Sequence, residues 1–332
     1  MNLTNQMRSR GVSYEISGDT NRSFVGRYHH CQQIGVRNLN IATSHDVIGL
    51  PRVAQRNLII QDSGNQSKFT IGFEIEKNRF HRNAVKEYPL LAGFENDSSC
   101  GVEAVTNILP LVAPSVWRNK VFNMFTEAEK IIDDRFSPSN ADCGGHTTIR
   151  VEGMTSDELM KRIRKFSGLF YAMFRYRLKN HYCNLNLSIR TLEELRENRD
   201  LRVQVLSGGL GERYHAVLEK ARGLIEFRLP SRITSVKQLR NRYELMYQMV
   251  HFAVNRPNST FKTFLASCRP TLRRMYGEDS SVSVGFIEDC AVEMQKVINT
   301  GKVHLAVAHM FRRPADNCMT REAKRFYQEG HN

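Results

Sequence analysis

Acidic and imidazole side chains recur in short alternating segments of this 332-residue chain. Glu74, Glu76, Glu103 and Glu226 each alternate with apolar or small neighbours, and His146 begins a segment of the same kind. Several carboxylates on one strand face repel one another unless a cation neutralises them. Carboxylate oxygens together with one imidazole suit Mg²⁺ or Mn²⁺. The five residues therefore predict a divalent metal site, provided that they share one face.

Each of these residues also has an ordinary explanation when it is taken alone. Two glutamates spaced two apart, such as Glu74 and Glu76, are expected by chance and often form a solvated pair. A single histidine such as His146 is more often a structural residue than a ligand. Glu226 and Arg228 could form an ion pair with other neighbours. The metal hypothesis therefore depends on the whole set.

Two arginines extend the predicted site from metal to phosphate. Arg213 and Arg228 alternate with apolar residues in the same manner as the acids. Guanidinium groups bind phosphate oxygens through paired hydrogen bonds. Because the chain carries no Gly-rich Walker loop, a metal with these arginines indicates ATP chemistry without a P-loop.

The alternation predicts the strands that must position these residues, because side chains at every second position share a face. The predicted strands are 71–76, 101–105, 146–151, 213–218 and 225–229. Strand 71–76 is expected to be half-buried. Helical spacing and capping boxes predict helices over 115–136, 155–179, from 191, from 235 to just before 257, and 284–299. This mixture predicts an α+β fold with a mainly antiparallel sheet covered by helices.

Four segments, taken in order, resemble the amidoligase family of carboxylate–amine ligases. They are Gly-Phe-Glu-Ile-Glu at 72–76, the acidic-serine segment at 97–103, Cys-Gly-Gly-His at 143–146, and the segment 213–228. The resemblance covers about 67–255. It implies the fold of glutamine synthetase and γ-glutamylcysteine synthetase, in which a curved antiparallel sheet forms a funnel that ATP enters at one end.

The resemblance also implies an activity and residue roles. The activity would be ATP- and Mg²⁺-dependent (or Mn²⁺-dependent) formation of an amide from a carboxylate and an amine, through an acyl phosphate. The metal bridging the terminal phosphates of the nucleotide would be held by Glu74, His146 and Glu226. A metal on the substrate side would be held by Glu76 and Glu103. The transferring phosphoryl group would be stabilised by Arg213 and Arg228.

The chain departs from the family pattern at two points. Thr148 stands where family members often carry a second histidine, which affects the substrate side more than the metal site. Gly144 and Gly145 replace the usual Gly-Leu pair before the histidine. Asp97 has three open roles: it could bind metal, bind the amine or cap a turn.

The net charge of +14 fits an anionic partner. The helix at 155–179 is expected to turn three phenylalanines to the core and seven basic residues to solvent. These residues are Phe166, Phe170 and Phe174, and Lys161, Arg162, Arg164, Lys165, Arg175, Arg177 and Lys179. The alternative is that this basic face binds nucleic acid. Segment 269–274 is expected to be a solvated loop.

Two classes of function follow. The favoured one is the ligase, whose partners are small-molecule or peptide carboxylates and amines. The alternative is a non-catalytic binding or structural protein that reuses the ligase-like fold for nucleic acid or a larger assembly. The intact set of acids favours the enzyme, because a scaffold has no reason to tolerate their repulsion.

Three parts are expected along the chain: an extension of unknown role (1–66), a catalytic core (67–257) and a helical part packed on it (258–332). No apolar run approaches the roughly 18 residues that span a bilayer, and no secretory signal is visible. The seven cysteines are scattered without a CxxC pair, which predicts free, mostly buried thiols in a reducing, cytoplasmic location.

Overall fold

The structure is a computed structural model that describes residues 15–16, 59–60, 68–81, 88–97, 100–175, 177, 183, 215–221, 223–276 and 283–300. Two short strands, β1 (Glu15–Ile16) and β2 (Ile59–Ile60), pair antiparallel with each other. The other described strands form one sheet of seven. Among the described residues, no helix has both the length and the apolar composition needed to cross a membrane.

The seven-stranded sheet carries the predicted polar face. Its strands are β3 (Phe69–Lys77), β4 (Leu91–Asp97), β5 (Gly101–Thr106), β6 (Leu109–Pro110), β7 (Thr147–Val151), β8 (Val217–Ala221) and β9 (Leu224–Phe227). The strand order is β4-β5-β3-β7-β9-β8, and β6 also pairs with β3. The β3/β5, β3/β6, β3/β7 and β4/β5 pairs are antiparallel. The mixed α+β class with an antiparallel sheet is thereby confirmed. The sheet is not closed, and the funnel stays a prediction.

The strand predictions are accurate where alternation is regular. Strands β3, β5, β7 and β9 match their predicted segments to within two residues at each end. Strand β8 begins at Val217 rather than 213, and β4 and β6 were not predicted. The expectation that β3 is half-buried is wrong, because all nine of its residues are buried. Strand β3 lies in the interior of the sheet between β5 and β7, where both of its edges are covered.

The helices are α1 (Val116–Glu127), α2 (Glu129–Ile132), α3 (Ser156–Ile163), α4 (Gly168–Met173), α5 (Val236–Asn255), α6 (Phe261–Tyr276) and α7 (Val284–Thr300), with a 3-10 turn at Arg164–Phe166. Helices α5 and α7 confirm their predictions. The helix predicted over 115–136 is divided into α1 and α2 at Ala128. The helix predicted from 191 lies outside the described residues.

The single helix predicted over 155–179 is wrong, because α3, the 3-10 turn and α4 replace it. The interruption lies at Ser167 and Gly168. The Ser167 hydroxyl donates to Arg164 O (3.2 Å), and Gly168 N donates to Gln295 Oε1 in α7 (2.9 Å). A Cβ on Gly168 would lie 2.7 Å from Ala291 O. Close packing against α7 therefore overrides the helical pattern.

The segment 269–274 is part of α6 and is not a loop. Pro270 lies inside this helix. Helix α6 nevertheless buries Phe264, Cys268 and Leu272, four residues apart, along one face. Arg269 pairs with Glu288 (Nη2–Oε2 2.6 Å), so this arginine is tied to α7.

The described residues divide into two compact units. The first contains those up to Ser156, together with 220–226 and 231–243, and the second contains the rest. In the first unit, α1 packs on the apolar face of the sheet, where the Phe73 and Phe125 rings meet edge to face with centroids 6.1 Å apart. Tyr243 also contacts α1 and donates its hydroxyl to Pro110 O (2.5 Å). The three-part division at 66 and 257 stays a prediction.

The second unit is mainly helical. Its core contains the three predicted phenylalanines, and the Phe166 ring packs against Phe252 (5.7 Å between centroids). Of the basic residues expected to face solvent, Lys161, Arg164 and Lys165 are exposed, whereas Arg175 and Arg177 are buried. Lys179 lies outside the described residues. Other basic residues in this segment have acidic partners on their own helix, as Lys161 has in Asp157 (2.6 Å).

Candidate metal centre

A row of carboxylates crosses three adjacent strands of the first unit. In the register of the sheet, Glu103 of β5 pairs with Glu76 of β3 on one side and with Glu95 of β4 on the other. Residues paired in this way have Cβ atoms about 5 Å apart and share a face. All three side chains are buried. Three acids therefore lie side by side away from water.

His146 joins this row from the other side of β3. The backbone pairing brings it opposite Glu74, whose N–H donates to His146 O (3.0 Å). The Nδ1 atom of the imidazole lies 3.0 Å from Glu74 Oε2 and 3.6 Å from Glu226 Oε1. The Nε2 atom lies 3.2 Å from Glu76 Oε1. The imidazole thus faces a carboxylate at each nitrogen.

Glu74, His146 and Glu226 fit a metal ion as a donor set. One ligand atom from each lies within 4.8 Å of the other two, and all three residues are buried. In an octahedral Mg²⁺ site with bonds of about 2.1 Å, ligands are roughly 3 Å apart when adjacent and about 4.2 Å apart when opposite. Two carboxylates with one imidazole suit Mg²⁺ or Mn²⁺. The ligand types and the distances between them therefore both fit a Mg²⁺ or Mn²⁺ site.

Glu76 is engaged at both of its oxygens. Its Oε2 accepts a hydrogen bond from Gly144 N (2.5 Å), and its Oε1 faces the Nε2 atom of His146. Histidines that bind metals commonly donate their second N–H to a carboxylate, which fixes the ring. Glu76 can therefore orient His146 so that Nδ1 points toward Glu74 and Glu226.

The glycine pair before His146 is explained by lack of space. A Cβ on Gly144 would lie 2.8 Å from the Nε2 atom of His146, closer than real contacts allow. A Cβ on Gly145 would lie 2.5 Å from Ser231 O and 2.6 Å from an Arg242 nitrogen. No side chain fits at either position. The packing of this loop therefore explains why Gly-Gly stands here in place of Gly-Leu.

Arg242 holds the segment that lies against this loop. Its guanidinium donates to Ser231 O (2.5 Å), to Ser231 Oγ (2.9 Å) and to Arg232 O (3.0 Å). Ser231 in turn forms a β-bridge with Gly144. Arg242 is buried, and it supports the backbone that positions His146.

The electrostatics of the row are unfavourable without a cation. Burial raises the pKa of Glu103 well above its usual value of 4.5, and the charges of Glu74, Glu95, Glu76 and Asp97 raise it further. A carboxyl group in these surroundings resists ionisation. A bound divalent ion would reverse this by offering the opposite charge at close range. The row thus has the properties of a cation site.

Lys77 does not neutralise the row, although it follows Glu76 directly. Consecutive strand residues face opposite ways, and the Lys77 ammonium donates to Ile132 O (2.6 Å), Asp134 Oδ1 (2.5 Å) and Ile233 O (2.8 Å). Burial lowers the pKa of Lys77, while Asp134 acts to raise it. The Lys77 ammonium therefore binds acceptors on the opposite side of the sheet from the carboxylates.

Glu95 is the residue of the row that the sequence did not reveal. Strand β4 contains a register irregularity between Leu91 and Gly93, which breaks the alternation that marked the other strands. The sequence pattern that could have indicated Glu95 is an apolar residue, Phe94, followed by this acid in a strand that pairs with β5. Asp97, in the same strand, accepts a hydrogen bond from Cys100 N (3.1 Å) and therefore caps the turn.

The two predicted phosphate-binding arginines are described only in part. Arg213 lies outside the described residues. Arg228 belongs to the second unit, where its backbone N–H donates to Ala216 O (2.9 Å). Thr148 pairs with Gly72 and is buried. The roles of both arginines stay predictions.

No family model matches the chain, and no curated protein matches it significantly. Among solved structures, the chain is similar to one described as "Apo GmaS without ligand", with a TM-score of 0.33 and 10% sequence identity. That match covers 77% of this chain and 71% of the other.

Proposed function

We propose that this protein is an ATP- and Mg²⁺-dependent (or Mn²⁺-dependent) ligase that joins a carboxylate to an amine. The observation that carries the proposal is the convergence of Glu74, His146 and Glu226 beside the buried carboxylate row. These residues come from three of the segments in which the sequence resembles the amidoligase family. Their meeting at one place in the fold is what a shared metal-dependent site requires.

The first metal would be held by Glu74, His146 and Glu226, with Nδ1 as the imidazole ligand. Glu76 would keep the ring in that orientation through Nε2, which is a positioning role. A second metal, on the substrate side, would be held by Glu76 and Glu103, which pair across β3 and β5. Bound divalent ions supply positive charge that neutralises the phosphate oxygens during phosphoryl transfer.

The proposed reaction has two steps. An oxygen of the substrate carboxylate attacks the γ-phosphorus of ATP, so that ADP leaves and an acyl phosphate forms. The amine nitrogen then attacks the acyl carbon, inorganic phosphate leaves, and the nitrogen loses a proton to give the amide. Arg213 and Arg228 would bind the transferring phosphoryl group, because a guanidinium fork matches its oxygens.

Metal and nucleotide binding test this proposal directly. Glu74→Gln combined with Glu226→Gln keeps the side-chain volumes but removes both charges from the triad. We expect the double variant to lose at least a hundredfold in Mn²⁺ affinity and in Mn·ATP affinity, measured by calorimetry, while circular dichroism stays unchanged. Glu152→Gln, at an exposed position of the same unit, is the matched control and should bind as the wild type.

Turnover separates the ligase from a binding protein. ADP release should depend on the presence of both an amine and a carboxylate from a panel of amino acids and peptides. Wild-type Mn·ATP affinity in the double variant would overturn the metal centre. Metal and nucleotide binding without ADP release under any pair of substrates would overturn the ligase and leave a non-catalytic protein.

A further inference from the structure

The polar face that carries Glu74 and His146 continues along β3 and β7. The chain pairs along this face as follows: Glu74 with His146, Gly72 with Thr148, and Thr70 with Arg150. Residues two apart in a strand share a face. Arg150 therefore lies on the same face as His146, four residues further along the chain, which is about 14 Å at the rise of an antiparallel strand.

Arg150 differs from its neighbours in exposure and in charge. The other four residues of β7 are buried, whereas Arg150 is half-buried. Of the residues that β3 and β7 place on this face, Arg150 is the one with a permanent positive charge. The face thus leads from buried acids to a cation that solvent can reach, and the ligase reaction leaves this cation without a role.

The turn between β8 and β9 lies against the Arg150 guanidinium. Gly223, in this turn, has a φ of +75°, which is in the left-handed region that favours glycine. A Cβ at this position would lie 2.5 Å from Arg150 Nη1 and 3.1 Å from its Cζ. Gly223 directly precedes β9, the neighbour of β7 that carries Glu226. The guanidinium is therefore placed beside the strand that supplies Glu226 to the candidate metal centre.

A buried hydroxyl lies directly opposite Arg150. Thr70, its partner in the pairing of β3 with β7, is 1% exposed. Within the ranges that the structure describes, the Oγ1 atom of Thr70 has no hydrogen-bond partner. Because buried polar side chains are nearly always paired, this hydroxyl needs a partner that the described residues do not supply. It is the second polar group at this end of the face.

The direction in which a bound nucleotide extends follows from the proposed function. In phosphoryl transfer, the attacking and leaving oxygens lie roughly in line with the phosphorus. The substrate carboxylate would attack from the side of Glu76 and Glu103, so ADP would leave on the opposite side. Along β3, that side runs from Glu76 past Glu74 toward Thr70 and Arg150. The nucleoside would therefore lie at the Arg150 end of the face.

We propose that Arg150 binds the nucleoside part of ATP, that is, its ribose and base. With the terminal phosphates at the first metal, the phosphate chain passes Gly72, which has no side chain, and Thr148, which has a short one. The nucleoside then reaches the guanidinium, which has five N–H donors and a planar surface that stacks on aromatic rings. The Thr70 hydroxyl supplies a further polar contact. Arg150 is thus a specificity residue for the nucleotide, and this assignment rests on the proposed function.

The test measures by calorimetry the affinity of the full chain for three probes: Mn²⁺ alone, Mn²⁺ with inorganic tripolyphosphate, and Mn·ATP. Tripolyphosphate carries the phosphate chain without the nucleoside. Arg150→Gln should weaken Mn·ATP binding at least about tenfold, because a charge-assisted contact is lost, and should leave the other two affinities unchanged. Arg150→Lys keeps the charge but loses the planar fork, so it should lose ATP affinity selectively and to a smaller extent.

Arg135→Gln, at an exposed arginine of the same unit, is the matched control and should bind all three probes as the wild type does. Circular dichroism checks that each variant is folded, and Arg150→Lys decides the question if Arg150→Gln is not. Equal losses for ATP and tripolyphosphate in folded Arg150 variants, or no loss for either, would overturn the nucleoside assignment and leave the ligase intact. Absence of Mn·ATP binding in the wild type would overturn the proposed function and this inference together.

Discussion

Buried charges lie on both sides of β3, and the protein treats the two sides differently. On one side, the Lys77 ammonium finds an acceptor for each of its three N–H donors. On the other side, Glu103 lies between Glu76 and Glu95, and its pKa is raised by burial and by the neighbouring carboxylates. The first arrangement is complete within the chain. The second gathers like charges and so calls for an external cation.

Arg242 belongs with Lys77 in this comparison. It is buried, and its guanidinium donates to Ser231 and Arg232 in one segment. A buried cation with such partners orders the backbone around it. Buried charge alone therefore does not mark a functional site; an accumulation of one sign does. Each of the following variants tests that distinction.

Replacing Lys77 by methionine should have the largest effect. The change leaves two buried carbonyls without their donor and removes the partner of Asp134, whose side chain is 30% exposed. Losses of this kind cost about 3 kcal/mol of unfolding free energy. Urea denaturation followed by circular dichroism measures this loss. Lys161→Met, at an exposed lysine, is the control. A Lys77→Met chain as stable as the control would show that the ammonium contributes nothing.

Replacing Gly144 by alanine should have the next largest effect. The new methyl group would overlap the imidazole of His146. Overpacking of this kind costs about 2 kcal/mol, and displacement of the ring should lower Mn²⁺ affinity about tenfold. Both quantities are measured on the same protein, by denaturation and by calorimetry.

Gly285 provides the matched control for that variant. It lies in α7, and the nearest atom to an added Cβ is 3.7 Å away. Alanine there should be neutral or should stabilise the chain by up to about 1 kcal/mol, because alanine favours helix. If Gly144→Ala behaves like Gly285→Ala in both assays, the glycine pair does not support the metal centre.

Replacing Glu103 by glutamine should stabilise the metal-free protein. The pKa of Glu103 is higher in the folded chain than its usual 4.5, so the folded state binds this proton more tightly than the unfolded state. The wild type therefore has this contribution in full below pH 4.5 and loses it as the pH rises through the raised pKa. A glutamine at position 103 does not titrate, so the variant does not lose stability in this way as the pH rises. Each unit of raised pKa corresponds to about 1.4 kcal/mol.

Thermal melting in a metal chelator measures this effect from pH 4 to pH 8. The advantage of Glu103→Gln over wild type should be absent at pH 4 and should reach at least about 1 kcal/mol at pH 8. Saturating Mn²⁺ should reverse the order, because the wild type alone would keep the full row of carboxylates. Glu152→Gln should show neither behaviour. A Glu103→Gln chain that is less stable than wild type in chelator at pH 8 would contradict the repulsion.

Alternation along strands was enough to predict most of the acidic cluster. Glu74, Glu76, Glu103, His146 and Glu226 were placed on one kind of face because a side-chain period of two leaves no other choice. Glu95 was missed because the irregularity near Gly93 breaks that period. The partners of Lys77 could not be predicted either, since Ile132 and Ile233 are 55 and 156 residues away.

The helical errors have the same origin. The pattern over 155–179 is helical by itself, but Gly168 packs so closely on α7 that the helix is interrupted there. Helix α6 was not predicted, and Pro270 lies inside it beside a buried apolar face. In both cases contacts with residues distant in sequence outweighed local preference.

The smallest effect is expected at the surface, where Lys161 pairs with Asp157 four residues earlier in α3 at 2.6 Å. Their side chains are 74% and 71% exposed, so water and salt screen the pair. Lys161→Ala should change the unfolding free energy by no more than about 0.5 kcal/mol, and 1 M salt should remove most of that difference. Denaturation at two salt concentrations measures it. A loss as large as that of Lys77→Met would mean that burial does not separate structural charges from solvated ones in this protein.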